Sequence, residues 1–128
     1  MINAKKDLKE ILLNKFEISK KIQFNEYLFR EGAPFKGVYY ILEGRVKIIK
    51  GGSQMKMAMW FAEKGELVGV TSLFGNTNAY AFSAIVPHGY CKALYITEQQ
   101  LNNLLQEYPQ FKKELIKTLC NRINYTEK

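Results

Sequence analysis

The chain counts 128 residues, 47% hydrophobic and 24% charged, with 19 Lys and Arg against 12 Asp and Glu for a net charge of +7. That length suits one domain with one core, burying roughly two thirds of its unfolded surface, and the composition excludes a disordered chain. No apolar run approaches a membrane span and residues 1–9 are too polar for a signal peptide, so a cytoplasmic protein away from membranes is expected.

Residues 4–15, AKKDLKEILLNK, predict a short helix: Leu8, Ile11 and Leu12 share a side, and Asp7 and Lys15 suit the two ends of its dipole. It should lie on the domain as a lid. From 17 to 24, Ile18, Lys20, Ile22 and Phe24 alternate with Ser19, Lys21 and Gln23 as in a half-buried strand, and Asn25-Glu26 turns the chain into a short strand from Tyr27 to Arg30. Glu31-Gly32-Ala33-Pro34 breaks that strand. Gly37 to Leu42 and Arg45 to Lys50, separated only by Glu43-Gly44, predict a hairpin whose glycine takes the positive φ of a tight turn. Val38, Tyr40 and Leu42 fall on one face, Tyr39, Ile41 and Glu43 on the other, and one face is expected in the core.

Gly51-Gly52-Ser53 marks the next turn and Met55 to Phe61 the next strand, with Met57, Met59 and Phe61 on one face; Glu63-Lys64-Gly65-Glu66 closes it. Leu67 to Val70, Tyr80 to Val86 and Tyr90 to Ile96 continue the series, separated by Gly75-Asn76-Thr77-Asn78 and Pro87-His88-Gly89. Many short strands joined by glycine turns describe an antiparallel sandwich or barrel.

Thr97 then opens a helix, with Gln100 placed to complete a capping box and Leu101, Leu104 and Leu105 on its apolar side. Pro109 interrupts it and can begin another helix that carries Phe111, Leu115, Ile116, Leu119 and Ile123. Leu115 and Leu119 can face the strands, while Ile116, Leu119 and Ile123 have the spacing of a helix paired with a second helix. Either all of them are the core of a monomer, or this helix is the axis of a symmetric homodimer. The width of the stripe on so small a domain favours the dimer.

Residues able to do chemistry are sparse. Cys91 and Cys120 form neither a disulfide framework nor a metal motif, and His88 is the one histidine, so no metal site, iron–sulfur cluster or other cofactor is expected. There is no paired-carboxylate spacing and no Ser or Cys with a plausible histidine partner, which argues against an enzyme. The lysines are scattered rather than packed into one run, and are read as solvated helix faces rather than as a DNA-contacting patch.

The order of glycines and β-branched or aromatic residues in LFREGAPFKGVYYILEGRVKI, from Leu28 to Ile48, resembles the sensor domain of the Crp/Fnr family of bacterial transcription regulators, those similar to the cyclic AMP receptor protein. The resemblance continues through Gly65-Glu66-Leu67-Val68-Gly69, Ser72-Leu73-Phe74, Tyr80 to Val86, Tyr108-Pro109 and Asn121-Arg122-Ile123, covering roughly residues 20–128. It implies a mainly β fold with flanking helices: a double-stranded β-helix, or jelly-roll-like β-roll, of about eight strands plus a long C-terminal dimerisation helix. The parts would be an N-terminal helix over 1–16, the roll over 17–96 and C-terminal helices over 97–128. No helix-turn-helix pattern follows, so the chain reads as a sensor fragment or a naturally shortened member, reaching DNA only through a module it does not contain.

The family grips a cyclic nucleotide with a Gly-Glu pair, a short helix and an Arg-Ser pair. By the resemblance, the Gly is Gly69, but the Glu falls on Val70, the Arg on Tyr80 and the Ser on Ala81. Val70 and Ala81 cannot hydrogen-bond through their side chains and Tyr80 is neutral near pH 7, so a cyclic phosphate would lose its counter-charge. The same location, lined by Gly69, Val70, Thr71, Ser72, Tyr80, Ala81 and Phe82 with Arg122 and Thr126 reaching in from the helix, would suit a small organic anion paired with Arg122. Alternatively Tyr80 and Phe82 plug it, leaving a ligand-free dimerisation scaffold. A stand-alone small-molecule-binding module without DNA binding is the alternative to a regulator.

Overall fold

Between Ser19 and Thr97 the inner strands carry rows of apolar side chains to remove from water, and two sheets stacked face to face hide these rows together. The computed structural model describes residues 4–15, 19–51, 57–70, 78–113 and 115. In chain order the elements are α1 (Ala4–Lys15), β1 (Ser19–Gln23), β2 (Tyr27–Phe29), β3 (Gly37–Glu43), β4 (Arg45–Lys50), β5 (Met57–Glu63), β6 (Leu67–Val68), β7 (Ser83–Ile85), β8 (Tyr90–Thr97) and α2 (Glu98–Glu107). The strands form two antiparallel four-stranded sheets, ordered β1-β8-β3-β6 and β2-β7-β4-β5. This is the mainly β roll that the alternation and the resemblance lead one to expect.

The predicted hairpin between β3 and β4 is not formed. β3 pairs with β8 and β6, whereas β4 pairs with β5 and β7, so Glu43-Gly44 carries the chain from one sheet to the other. The reason lies in what the two strands bury. Tyr39 and Ile41 of β3 and Val46 and Ile48 of β4 share the interior cluster across the two sheets, and side by side in one sheet they could not cover each other. Gly44 does have the positive φ expected of it, at 82°, and its α-carbon lies so close to the Tyr90 backbone that a Cβ would sit 2.3 Å from the Tyr90 carbonyl oxygen.

Nor is one face of β3 the only one buried: Gly37 to Ile41 are all buried. Tyr39 and Ile41 face the interior, and Val38 and Tyr40 join Leu94 and Ile96 of β8 in a second cluster capped by Leu12 of α1 and Leu101 and Leu104 of α2. The helix α1 therefore acts as the expected lid, and its Lys15 Nζ is paired with Glu107 Oε2 of α2 at 2.7 Å. The helix α2 starts with the predicted capping box, in which Thr97 Oγ1 accepts from the Gln100 amide at 3.1 Å and Gln100 Oε1 accepts from the Thr97 amide at 2.9 Å.

Beyond Pro109, residues 110–113 and 115 are helical, with Phe111 and Leu115 buried against the second cluster. The rest of the predicted C-terminal helix, with Ile116, Leu119 and Ile123, lies outside the described residues, as do the 52–56 turn region and Cys120. The strands β6 and β7 are clearly shorter than expected, and β2 ends one residue early, at Phe29. β6 ends at Val68 because Gly69 turns away with φ 96°, and β7 begins at Ser83 because Tyr80 hydrogen-bonds to a loop instead of a strand. Among the described residues no helix is long and apolar enough to cross a membrane.

Candidate functional site

The loop between β2 and β3 and the segment before β7 are stitched together by backbone. The amide of Tyr80 donates to the Ala33 carbonyl at 3.0 Å, that of Gly32 to the Tyr80 carbonyl at 2.9 Å, and that of Phe35 to the Asn78 carbonyl at 2.8 Å. This fixes residue 80, where the sequence resemblance would place an arginine, with its side chain turned into the roll. The Tyr80 ring stacks on Phe29 with centroids 4.2 Å apart and meets Phe35 edge-on at 5.2 Å. Its hydroxyl donates to the Gly37 carbonyl at 2.7 Å and accepts from the Gly37 amide at 3.3 Å.

Tyr80 is 6% exposed, and burial pushes its phenol above the ordinary tyrosine range despite the opposing backbone hydrogen bonds at Lys36 and Gly37. It is neutral at pH 7, and its single proton is committed to Gly37. Gly69 lies against the same rings: a Cβ there would meet Phe29, Tyr80 and the Gly37 carbonyl at 3.5 Å, ordinary contact distance.

The other predicted site residues are distributed differently. Val70 is buried in the second cluster, under the helices and away from Tyr80's cluster. Phe82 packs edge-on against Trp60 of β5 at 5.0 Å. The Ala81 carbonyl accepts from Lys50 Nζ at 2.9 Å, and the same ammonium lies 5.1 Å from the Phe82 ring. Gly69 and Tyr80 are thus brought together, Ala81 and Phe82 sit beside Lys50 and Trp60, and Thr71, Ser72, Arg122 and Thr126 lie outside the described residues.

Lys50 is a residue that sequence reasoning missed. It reaches Ala81 only because β4 pairs with β7, placing Ile49 opposite Ser83, and nothing in the local sequence announces that pairing. It also binds Glu31 Oε2 at 3.2 Å, while Glu31 Oε1 accepts from the Gly51 amide at 3.0 Å. That amide, followed by Lys50, holds the Glu31 carboxyl below its usual range. The cation beside Ala81 is therefore already engaged by a carboxylate.

Two antiparallel sheets rolled over one core, with helices capping the outer side and the Gly69 turn facing the Phe29 and Tyr80 rings, describe a cyclic-nucleotide-binding type of β-roll. The family model described as the cyclic nucleotide-binding domain matches residues 19–108, and the chain belongs to that family.

Among curated proteins it is similar to the potassium/sodium hyperpolarization-activated cyclic nucleotide-gated channel 2 of Mus musculus, at 26% identity over 111 residues that make up 86% of this chain and 12% of the channel. Among solved structures, the c-di-GMP responsive global regulator CLP of Xanthomonas campestris superposes with a TM-score of 0.83 at 21% identity, over 95% of this chain and 61% of that one. The catabolite activator protein of Thermus thermophilus gives 0.79 at 17% identity, over 94% and 56%. The sensor domain of the transcriptional regulator DNR of Pseudomonas aeruginosa gives 0.70 at 19%, over 88% and 74%. The chain thus spans 12% of the curated relatives' length, and the structural likenesses establish a shared fold.

Proposed function

We propose that this domain is the effector-sensing and dimerisation part of a Crp/Fnr-type transcription regulator that responds to a small organic anion rather than to a cyclic nucleotide. The carrying observation is Tyr80. Where the family places an arginine there is a neutral phenol, stacked on Phe29 and hydrogen-bonded to Gly37, with no charge to offer a phosphate. Val70, buried among apolar side chains, likewise gives a ribose hydroxyl nothing to bind.

In this reading the effector sits between the roll and the C-terminal helix, near Gly69, Val70, Thr71, Ser72, Tyr80, Ala81 and Phe82, with Arg122 as its charge partner and Thr126 beside it. Binding there would change the packing of Leu115, Leu119 and Arg122 and rotate the two helices paired through Ile116, Leu119 and Ile123. That is a population shift between two dimer arrangements, and it would aim a helix-turn-helix module joined to the helix. The domain acts by binding, not catalysis.

The self-contained stack around Tyr80 also supports a second reading, a plugged site in a dimerisation scaffold that takes no ligand. A thermal-shift screen of organic acids on the wild type and on Arg122→Ala separates them. An acid that stabilises only the wild type supports the sensor, and no hit supports the scaffold. Stabilisation by cyclic AMP, cyclic GMP or cyclic di-GMP overturns the exclusion of nucleotides.

A further inference from the structure

Away from the Tyr80 cluster, three turns that are far apart in the chain meet: Gly44-Arg45 where β3 passes to β4, Glu63-Lys64 at the end of β5, and His88-Gly89-Tyr90 before β8. They line an open groove of about 450 Å³, inside the ~300–1,000 Å³ range of small-molecule sites. Gly44 makes the groove possible, since only a residue without a Cβ can lie so close to the Tyr90 backbone.

The chemistry of the lining is specific. The Arg45 guanidinium lies over the Phe61 ring, its Cζ 4.0 Å from the centroid. Its Nε is buried without a hydrogen-bond acceptor: Glu63 Oε1, at 3.8 Å, is close enough to be an ion-pair partner and too far to accept a proton. Nε itself is covered, but the side chain as a whole is 38% exposed, so the groove opens onto the rest of the guanidinium group. Opposite it, Tyr90 is 42% exposed, with its hydroxyl tied down by donation to Glu43 Oε2 at 2.8 Å and Lys21 Nζ 4.5 Å from its ring. Arg45 and Lys64 outweigh Glu63 on the lining, and Glu43 is occupied by Tyr90 and lies opposite Lys92 across the strands.

We propose that this groove is a second ligand site, for a carboxylate attached to a flat apolar body. The carboxylate pairs with the exposed part of the Arg45 guanidinium, with Lys64 adding charge, and the apolar body lies on the Tyr90 ring. The carboxylate belongs either to a free aromatic acid or to the C-terminal end of a peptide. The groove shares no lining residue with the effector cleft proposed above.

The test is a titration of the whole chain, followed by amide NMR, with benzoate, with 3-phenylpropionate, and with a tetrapeptide ending in Phe; benzamide and the C-terminally amidated peptide serve as uncharged controls. The expected result is saturable shifts at Gly44, Gly89 and Tyr90 with the acids alone. The affinity read at these three amides should weaken by ~10-fold in Arg45→Gln and by a smaller factor in Lys64→Gln. Binding by the free acids, the peptide acid or both supports the site and identifies the source. No saturable shift, equal binding of benzamide, or undiminished affinity in a folded Arg45→Gln overturns it. If Arg45→Gln unfolds, Tyr90→Leu and Lys64→Gln carry the test, and undiminished affinity in both overturns it.

Discussion

The rings of Phe29 and Tyr80 lie 4.2 Å apart and within 13° of parallel, and beyond them the Tyr80 hydroxyl is anchored on the backbone of Gly37. This pair ties β2 to the start of β3 through a side chain that comes from neither strand. Tyr80→Phe keeps the stack and removes the anchor, leaving a buried carbonyl short of a partner, so it should lose about 1–2 kcal/mol of stability. Tyr80→Ala removes the ring as well and should lose about 3–5 kcal/mol. Urea unfolding measures both, and a Tyr80→Phe variant as stable as the wild type would mean that the hydroxyl contributes nothing in solution.

Two glycines separate backbone strain from lack of space. Gly32 and Gly44 both have positive φ, 86° and 82°, but a Cβ at Gly32 meets nothing within 4 Å while one at Gly44 strikes the Tyr90 carbonyl. Gly32→Ala should cost only the left-handed strain, about 1–2 kcal/mol. Gly44→Ala should cost a further ~1–3 kcal/mol from overpacking. Equal unfolding midpoints for the two variants would contradict the close approach at Gly44.

The start of α2 depends on Thr97. Its hydroxyl satisfies the Gln100 amide, which has no partner inside the helix, so Thr97→Ala should destabilise the domain by about 1 kcal/mol and Thr97→Ser by less. Chemical denaturation of the three proteins side by side gives the comparison.

Stability should fall in alkali. Burial pushes the Cys91 thiol from 9.0 up to about 11 and the Tyr39 phenol from 10.0 up to about 12. Both groups release their protons more readily in the unfolded chain. Their contribution is therefore complete below about pH 9 and is lost as pH rises through the folded values, between pH 9 and 12. Melting temperatures across that window should drop, and less steeply in Cys91→Ala. A flat profile, or one as steep in the variant, would contradict this. For the same reason Cys91 should react with a thiol reagent slowly when folded and quickly in denaturant.

Strands and the capped helix were legible because their signals are local: alternation for β4 and β8, and a threonine three residues ahead of Gln100 for α2. The β3 to β4 junction was misread because a two-residue glycine connection looks the same whether the chain folds back beside itself or crosses to a facing sheet. Only the partners of Tyr39 and Ile41, from Val46 to Cys91, decide between these. Trp60 shows the same limit. With Met57 and Phe61 assigned one face of β5, the interior role of Ala62 and Trp60 on the other follows only once β4 and β7 are known to lie beside that strand. The site was legible as chemistry and not as geometry. Charge loss at Tyr80 can be read from its identity, whereas its inward direction depends on the loop around Ala33, and Lys50 arrives from thirty residues upstream.

The position of β8 sets the order in which the molecule can be made. Although it is the final strand among the described residues, it lies between β1 and β3, with Ser19 opposite Leu94 and Tyr39 opposite Tyr95. A growing polypeptide can pair β4 with β5 early, but β1 has no partner until β8 has emerged. The strand β1 must then wait with its edge open until the whole roll has emerged, and its sheet closes late, by joining segments from opposite ends of the roll.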